Sequence, residues 1–237
     1  MRQTILLASL VAIFSSCNFM GGKKVRGNGN IISQTREVSN FTGIDVSGAV
    51  TVRLKQEAPA GIRVETDENL MEYLEVKVDG NTVVIQPRKG YNLNPSKELI
   101  VYVSASRFTT IDVSGASQII SEAPITSDEL DVHATGASEI IMQVKLSKFT
   151  SELSGASTLK LSGDVTRFAT EASGASKILC LDLKTAEAEL NVSGATEAEI
   201  SAEKELTIDA SGASNVKYRG NANINQKSTG ASNVKKV

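Results

Sequence analysis

The sequence predicts an all-β fold, a parallel β-helix or β-solenoid, and three observations carry that prediction. A motif of the type Ser-Gly-Ala-Ser recurs about every nineteen residues through the C-terminal half. Apolar and polar residues alternate on both sides of each motif, which is the period of a strand and not of a helix. The composition suits such a scaffold: 18 glycines stand against 4 prolines, with one His and no Trp. At 237 residues, with 41% apolar and 22% charged side chains, the chain is long enough to bury a sizeable core.

Residues 1–16 predict a secretory signal peptide. Arg2 supplies its positive start, and Ile5–Phe14 is an apolar run too short to cross a bilayer. Two serines then precede Cys17, as in a bacterial lipobox, so Cys17 is expected to be the diacylated first residue of the exported chain. Residues 17–30, rich in Gly, Asn and Lys, read as a lipid-anchored linker with the domain roughly 20 Å from the membrane. That stretch is basic (Lys23, Lys24, Arg26), so it lacks the acidic run that marks export to the outer surface in some lipoproteins. The outer membrane is the expected address, with its periplasmic and surface faces both open.

A single domain is expected over residues 31–237. Its early part keeps no nineteen-residue period, although residues 50–54, 62–66, 74–78, 83–86 and 99–103 all alternate. Asp79-Gly80-Asn81 predicts a hairpin turn, Asp67–Tyr73 a short helical turn, and Arg88–Lys97 a long polar loop. FTGIDVSG at 41–48 nearly duplicates FTTIDVSG at 108–115, which predicts longer, hairpin-containing coils in this part.

The repeat proper is set by Gly115, Gly136, Gly155, Gly174, Gly194, Gly212 and Gly230, spaced 21, 19, 19, 20, 18 and 18 residues apart. Two and four positions before each glycine stand mostly apolar residues, such as Ile111 and Val113 or Val132 and Ala134. Four and six positions after it the pattern resumes, as in Leu159 and Leu161. Continued parity turns the glycine and the second Ser/Thr inward, with each hydroxyl bonded to a neighbour or to a backbone carbonyl. Leu130, Phe149, Phe168, Ala188, Leu206 and Ile224 extend the inward set, and Gly163-Asp164 signals a turn between strands. The last coil turns polar inside (Gln226, Ser228) and ends on Lys235 and Lys236, the signature of a terminal cap.

Reactive side chains are few. Formal charge is −2, so nothing points to a nucleic acid. His133, Cys17 and Cys180 are the whole His and Cys inventory, which comes close to excluding a zinc site built on them and leaves a catalytic triad only His133. No cofactor or metal is expected. Cys180 falls at an inward position and reads as a buried thiol. The candidate surface stripe lies three positions before each glycine: Asp112, His133, Glu152, Glu171, Asn191 and Asp209, flanked by Asp45 and Lys227. Tyr73, Tyr91 and Tyr102 are the aromatics available outside the repeats for carbohydrate contact.

The order FTGIDVSGAV, DENLMEYLEVKVDGNTVVI, ELIVYV and repeated SGAS resembles the GIN-type domain family (DUF2807), described as a putative auto-transporter adhesin head in Bacteroidota-like lipoproteins. The resemblance spans roughly Phe41 to Tyr218 and implies a secreted or lipid-anchored β-solenoid, with no catalytic residues to carry over. The leading expectation is a non-enzymatic binding or adhesion module of the envelope. Its partners would be the membrane, through the anchor, and a protein or glycan, with homo-oligomers open. A kinship with toastrack-type domains implies a periplasmic envelope-stress or scaffold module instead. The stacked Glu152 and Glu171 leave a polysaccharide-degrading β-helix as a third reading.

Overall fold

Every coil turns at its glycine. In the computed structural model, which describes residues 22–237, the seven repeat glycines all have φ between +73° and +83°, the left-handed region closed to most side chains. Each corner also stacks tightly on the one before. A Cβ on Gly155 would lie 2.5 Å from the carbonyl oxygen of Gly136, and the same contact recurs from Gly115 to Gly212. That carbonyl accepts the N–H of the next coil's alanine, for example Ala156 at 2.7 Å and Ala175 at 2.7 Å. Glycine is thus required twice at one point, for its φ and for its missing Cβ.

The ladder fixes register. Asp131–Ala134, Thr150–Leu153, Glu171 and Ala172, and Asn191 and Val192 pair in parallel with like positions aligned. The result is a β-solenoid of about seven turns. Aligned register makes alternation in sequence into columns in space. Ile44, Ile111, Val132, Leu190 and Ile208 share one buried column, and Val52, Ile119, Ile140, Leu159, Ile178, Ala198 and Val216 share another. The rings of Phe149 and Phe168 stack 5.5 Å apart within 5° of parallel. Ser151 and Thr170 fall in a core column and satisfy each other at 2.8 Å.

The seven glycines themselves are exposed, against the parity expectation, because the positive φ turns the chain outward at the corner. The second Ser/Thr of the motif returns inward. Its hydroxyl donates to the carbonyl three residues back: Ser138 to Thr135, Ser157 to Ser154 and Ser176 to Ser173, each at 2.8 Å. Ser117 lacks such a partner and is buried, while the preceding coil fills the same slot with Val50. Gly163 does not end a strand. It bends the continuous strand Thr158–Ala172 at φ +105°, beside an irregularity in its pairing with the next coil.

The early part of the chain stacks out of sequence order. Gly43–Val46 and Thr51–Gln56 form the first glycine-cornered coil. The chain then leaves it, and Thr82–Pro87 and Ile100–Ala105 add a further parallel rung on the outer side of that coil. Thr110–Val113 and Gln118–Ser121 resume on the inner side. Strands of opposite direction close this end: Leu74–Asp79 through the hairpin at Gly80, and Gly61–Asp67 with Ile31–Arg36. Antiparallel closure offers no template for another parallel coil. Glu68–Tyr73 is a 3-10 helix, where a short helical turn was expected. At the far end, Asn223–Ser228 is exposed throughout, and Ile224, in the inward series, is 39% exposed.

Two expectations change at the N-terminal end. Residues 17–30 are not all linker: Lys23–Arg26 is a strand paired in parallel with Tyr91–Asn94, which lies inside the expected polar loop. Asp67 secures both segments. Its side chain is buried and accepts from the Gly29 N–H at 2.6 Å, the Ser96 N–H at 2.8 Å and the Ser96 hydroxyl at 2.6 Å. Burial pushes the Asp67 pKa up, but these donors outweigh it and hold it below the usual carboxylate value. The expected signal peptide and lipidated Cys17 lie outside the described residues.

The corner gives a paired expectation in urea unfolding: Gly155→Ala loses at least about 2 kcal/mol through strain and clash, whereas Ser117→Val gains roughly 1 kcal/mol by removing an unpartnered hydroxyl. A stable Gly155→Ala chain would contradict the corner geometry. Because the Asp67 pKa is lowered on folding, its contribution is present above the unfolded value near 4 and is lost as pH falls through the folded value. Asp67→Asn should cost about 2 kcal/mol at pH 7 and flatten the acid limb of stability below about pH 4.

Candidate functional site

From Gly48 to Gly212, the residue three positions before each corner glycine lies between two buried ones, so alternation points it outward. Aligned register then stacks these residues in one column. Asp45 pairs with Asp112, Asp112 with His133, His133 with Glu152, Glu152 with Glu171, Glu171 with Asn191, and Asn191 with Asp209. All six stripe residues named from the sequence therefore stand on one line. From His133 to Asp209 they line an open groove of about 560 Å³.

The ends of the column are engaged and its middle is not. At one end His133 Nδ1 lies 2.9 Å from Asp112 Oδ1. Burial first, and the neighbouring Asp112 carboxylate second, raise the Asp45 pKa. At the other end Lys227 Nζ reaches Asp209 at 3.4 Å. Between them Glu152 and Glu171 are exposed, and neither they nor Asn191 has a side-chain partner among the described residues. Rungs about 4.8 Å apart repeat a strong acceptor along the groove. Among the described residues, no three His, Cys, Asp or Glu side chains gather to hold a metal ion.

The groove has a second wall that the sequence reading did not single out. Thr135, Ser154, Ser173, Ser193 and Ser211, the first residue of each motif, line it. Their carbonyls accept the inward hydroxyls of the same motifs, and the Ser193 hydroxyl itself donates to the Ala172 carbonyl at 3.5 Å. The signal was present as the Ser or Thr before each glycine, two positions after the stripe residue and therefore on the same outward side. Glu152 and Glu171 are paired in adjacent rungs of one column, so they stand side by side and do not face each other across a bond.

The three tyrosines are engaged within the fold. Tyr91 packs on Tyr73 with centroids 4.6 Å apart, and the Arg63 guanidinium sits 3.7 Å over the Tyr102 ring. A second open groove of about 770 Å³ carries mixed charge, with Lys145, Asp164 and Lys184 in consecutive rungs.

Against this geometry, the family model described as "Putative auto-transporter adhesin, head GIN domain" (DUF2807) matches residues 40–222. The chain belongs to this family. Three solved structures share the fold of this GIN domain. A putative adhesin from Bacteroides fragilis is 19% identical, with TM-score 0.85, covering 90% of this chain and all of its own. A putative adhesin from Parabacteroides merdae is 20% identical, with TM-score 0.73, and a putative lipid binding protein from Parabacteroides distasonis is 20% identical, with TM-score 0.75. Each covers 91% of this chain and all of its own. No curated protein matches the chain.

The GIN domain's Cys180 is fully buried in a core column, and burial pushes its thiol up to about 12. A maleimide added to the native Cys17→Ser chain should therefore leave Cys180 unlabelled for hours at pH 8, with rapid labelling in denaturant. Fast native labelling would show that the column opens.

Proposed function

We propose that this chain is a non-enzymatic binding and adhesion module of the cell envelope, anchored through lipid on Cys17. It engages an extended partner, a protein or a glycan, along the groove between the acidic stripe and the hydroxyl row. The observation that carries the reading is the run Glu152, Glu171 and Asn191, whose acceptors point into an open groove with no partner among the described residues. Polar side chains held by a rigid sheet are organised before binding, so little ordering entropy opposes the encounter. A partner rich in N–H or O–H donors repeated along its length fits this ladder, one donor group to each rung. The adhesin description of the family and of two structural neighbours supports the same reading.

The test is a panel of immobilised glycans and extracellular glycoproteins probed with the purified chain. At least one member should bind at micromolar concentration, and Glu152→Lys with Glu171→Lys should weaken it by at least about tenfold, from loss of two charge-assisted contacts, while circular dichroism stays unchanged. No bound member, or binding indifferent to the double charge reversal, sinks the proposal. Protease shaving of intact cells checks the address: cleavage supports adhesion at the surface, and protection transfers the groove to a periplasmic partner.

A further inference from the structure

A different surface carries a second partner. The parallel ribbon of Lys23–Arg26 and Tyr91–Asn94 brings together two segments, 22–30 and 87–97, that lie far apart in sequence. Together they hold six cations, Lys23, Lys24, Arg26, Arg88, Lys89 and Lys97, and no carboxylate. All six are exposed, and none enters an ion pair among the described residues. The Lys23 N–H bonds the Gly90 carbonyl at 2.7 Å, which sets Lys23 beside the turn that carries Arg88 and Lys89, while Lys24 pairs with Asn92. Val25 and Leu93, paired across the ribbon, are half-buried, and Leu93 packs against the core, so Lys24 and Arg26 project from the opposite side. Of the neighbouring acids, Glu98 accepts from the Thr51 hydroxyl at 2.6 Å and Glu68 from the Asn30 side chain at 2.9 Å. Glu75 is held by Lys77 at 3.0 Å and Gln86 at 3.0 Å although it also feels Arg88, and Glu72 borders the patch near Tyr73.

We infer that this basic ribbon is a docking face for an anionic phospholipid surface, and that it holds the N-terminal end of the solenoid against the membrane. Two facts favour a bilayer over another polyanion. The ribbon begins at Lys23, nine residues after the apolar run Ile5–Phe14, so basic and apolar stretches lie close together in the sequence at this end of the chain. The protein as a whole is acidic, so the cations are gathered locally against the net charge. Each cation near an anionic surface is worth roughly fivefold in partition, and the attraction fades within a Debye length. Asp67 and Ser96 make the ribbon part of the solenoid, so adsorption orients the whole stack. The inference shares the membrane setting of the proposed function but depends neither on lipid at Cys17 nor on the groove's partner.

The experiment is co-sedimentation of the full chain carrying Cys17→Ser with vesicles of phosphatidylcholine alone and of phosphatidylcholine with phosphatidylglycerol at 7:3. The ratio of the two partition coefficients cancels the contribution of the apolar run. At 50 mM salt the anionic vesicles should be preferred at least about tenfold, and by less than about twofold at 500 mM. Lys23→Gln, Lys24→Gln, Arg88→Gln and Lys89→Gln together should cut the low-salt ratio at least about fivefold, with an unchanged melting temperature. Lys145→Gln, Lys184→Gln and Lys204→Gln, taken from the mixed-charge groove, should leave it intact. A preference that survives the four ribbon substitutions, or falls equally with the three control ones, overturns the inference. So does a chain that captures a short oligonucleotide while ignoring both vesicle types.

Discussion

The contact between the carbonyl oxygen of one repeat glycine and the backbone of the next governs the molecule. At 2.5 Å from a hypothetical Cβ, no other residue fits without moving a strand. The same oxygen takes the N–H of the following alanine, so the corner is both the point of closest approach and a rung of the hydrogen-bond ladder. Once corners stack directly, coils cannot slide, because a one-residue slip would turn each core column to solvent. The core and the groove are therefore two outcomes of one registration. The residues that keep Phe149 over Phe168 inside also keep Glu152 over Glu171 outside.

Much of this was legible because it is local and repeated. Apolar alternation around Gly155 names Leu153 and Leu159 as core without knowledge of the fold, and identical spacing at Gly174 places Ala172 and Ile178 beside them. The acidic stripe followed by subtraction. The glycine's own direction did not follow, because period two assumes uniform extended backbone and φ near +75° breaks it. The hydroxyl row was within reach of the same alternation, since Ser154 follows Glu152 by two residues and takes the same outward side. It was passed over because a small hydroxyl beside a glycine reads first as turn chemistry.

The N-terminal third resisted reading for another reason: its contacts are remote and occur once. Nothing within residues 22–30 shows that Lys23 pairs with Tyr91, because a four-residue strand without alternation looks like a linker until its partner is present. Asp67 looked like the acidic start of a helical turn, which it also precedes. Its burial depends on Gly29 and Ser96 arriving from either side, and a side chain at Gly27 would collide with its carboxylate. One buried anion thus does for this end what seven glycines do for the rest.

The two devices together give the molecule a direction. The rung of Thr82–Pro87 lies three steps before that of His133 and seven before that of Asp209, so the groove runs from roughly 14 to 34 Å along the stack from the cap. Cations gather at the capped end, while unpaired carboxylates stand along the distal rungs. Charges this far apart lie beyond the roughly 8 Å Debye length of physiological salt, so each surface presents its own sign undiminished by the other. A surface docked at the ribbon would therefore neither attract nor repel the acidic stripe: the distal rungs lie beyond the reach of its screened field and stay open to a partner of their own.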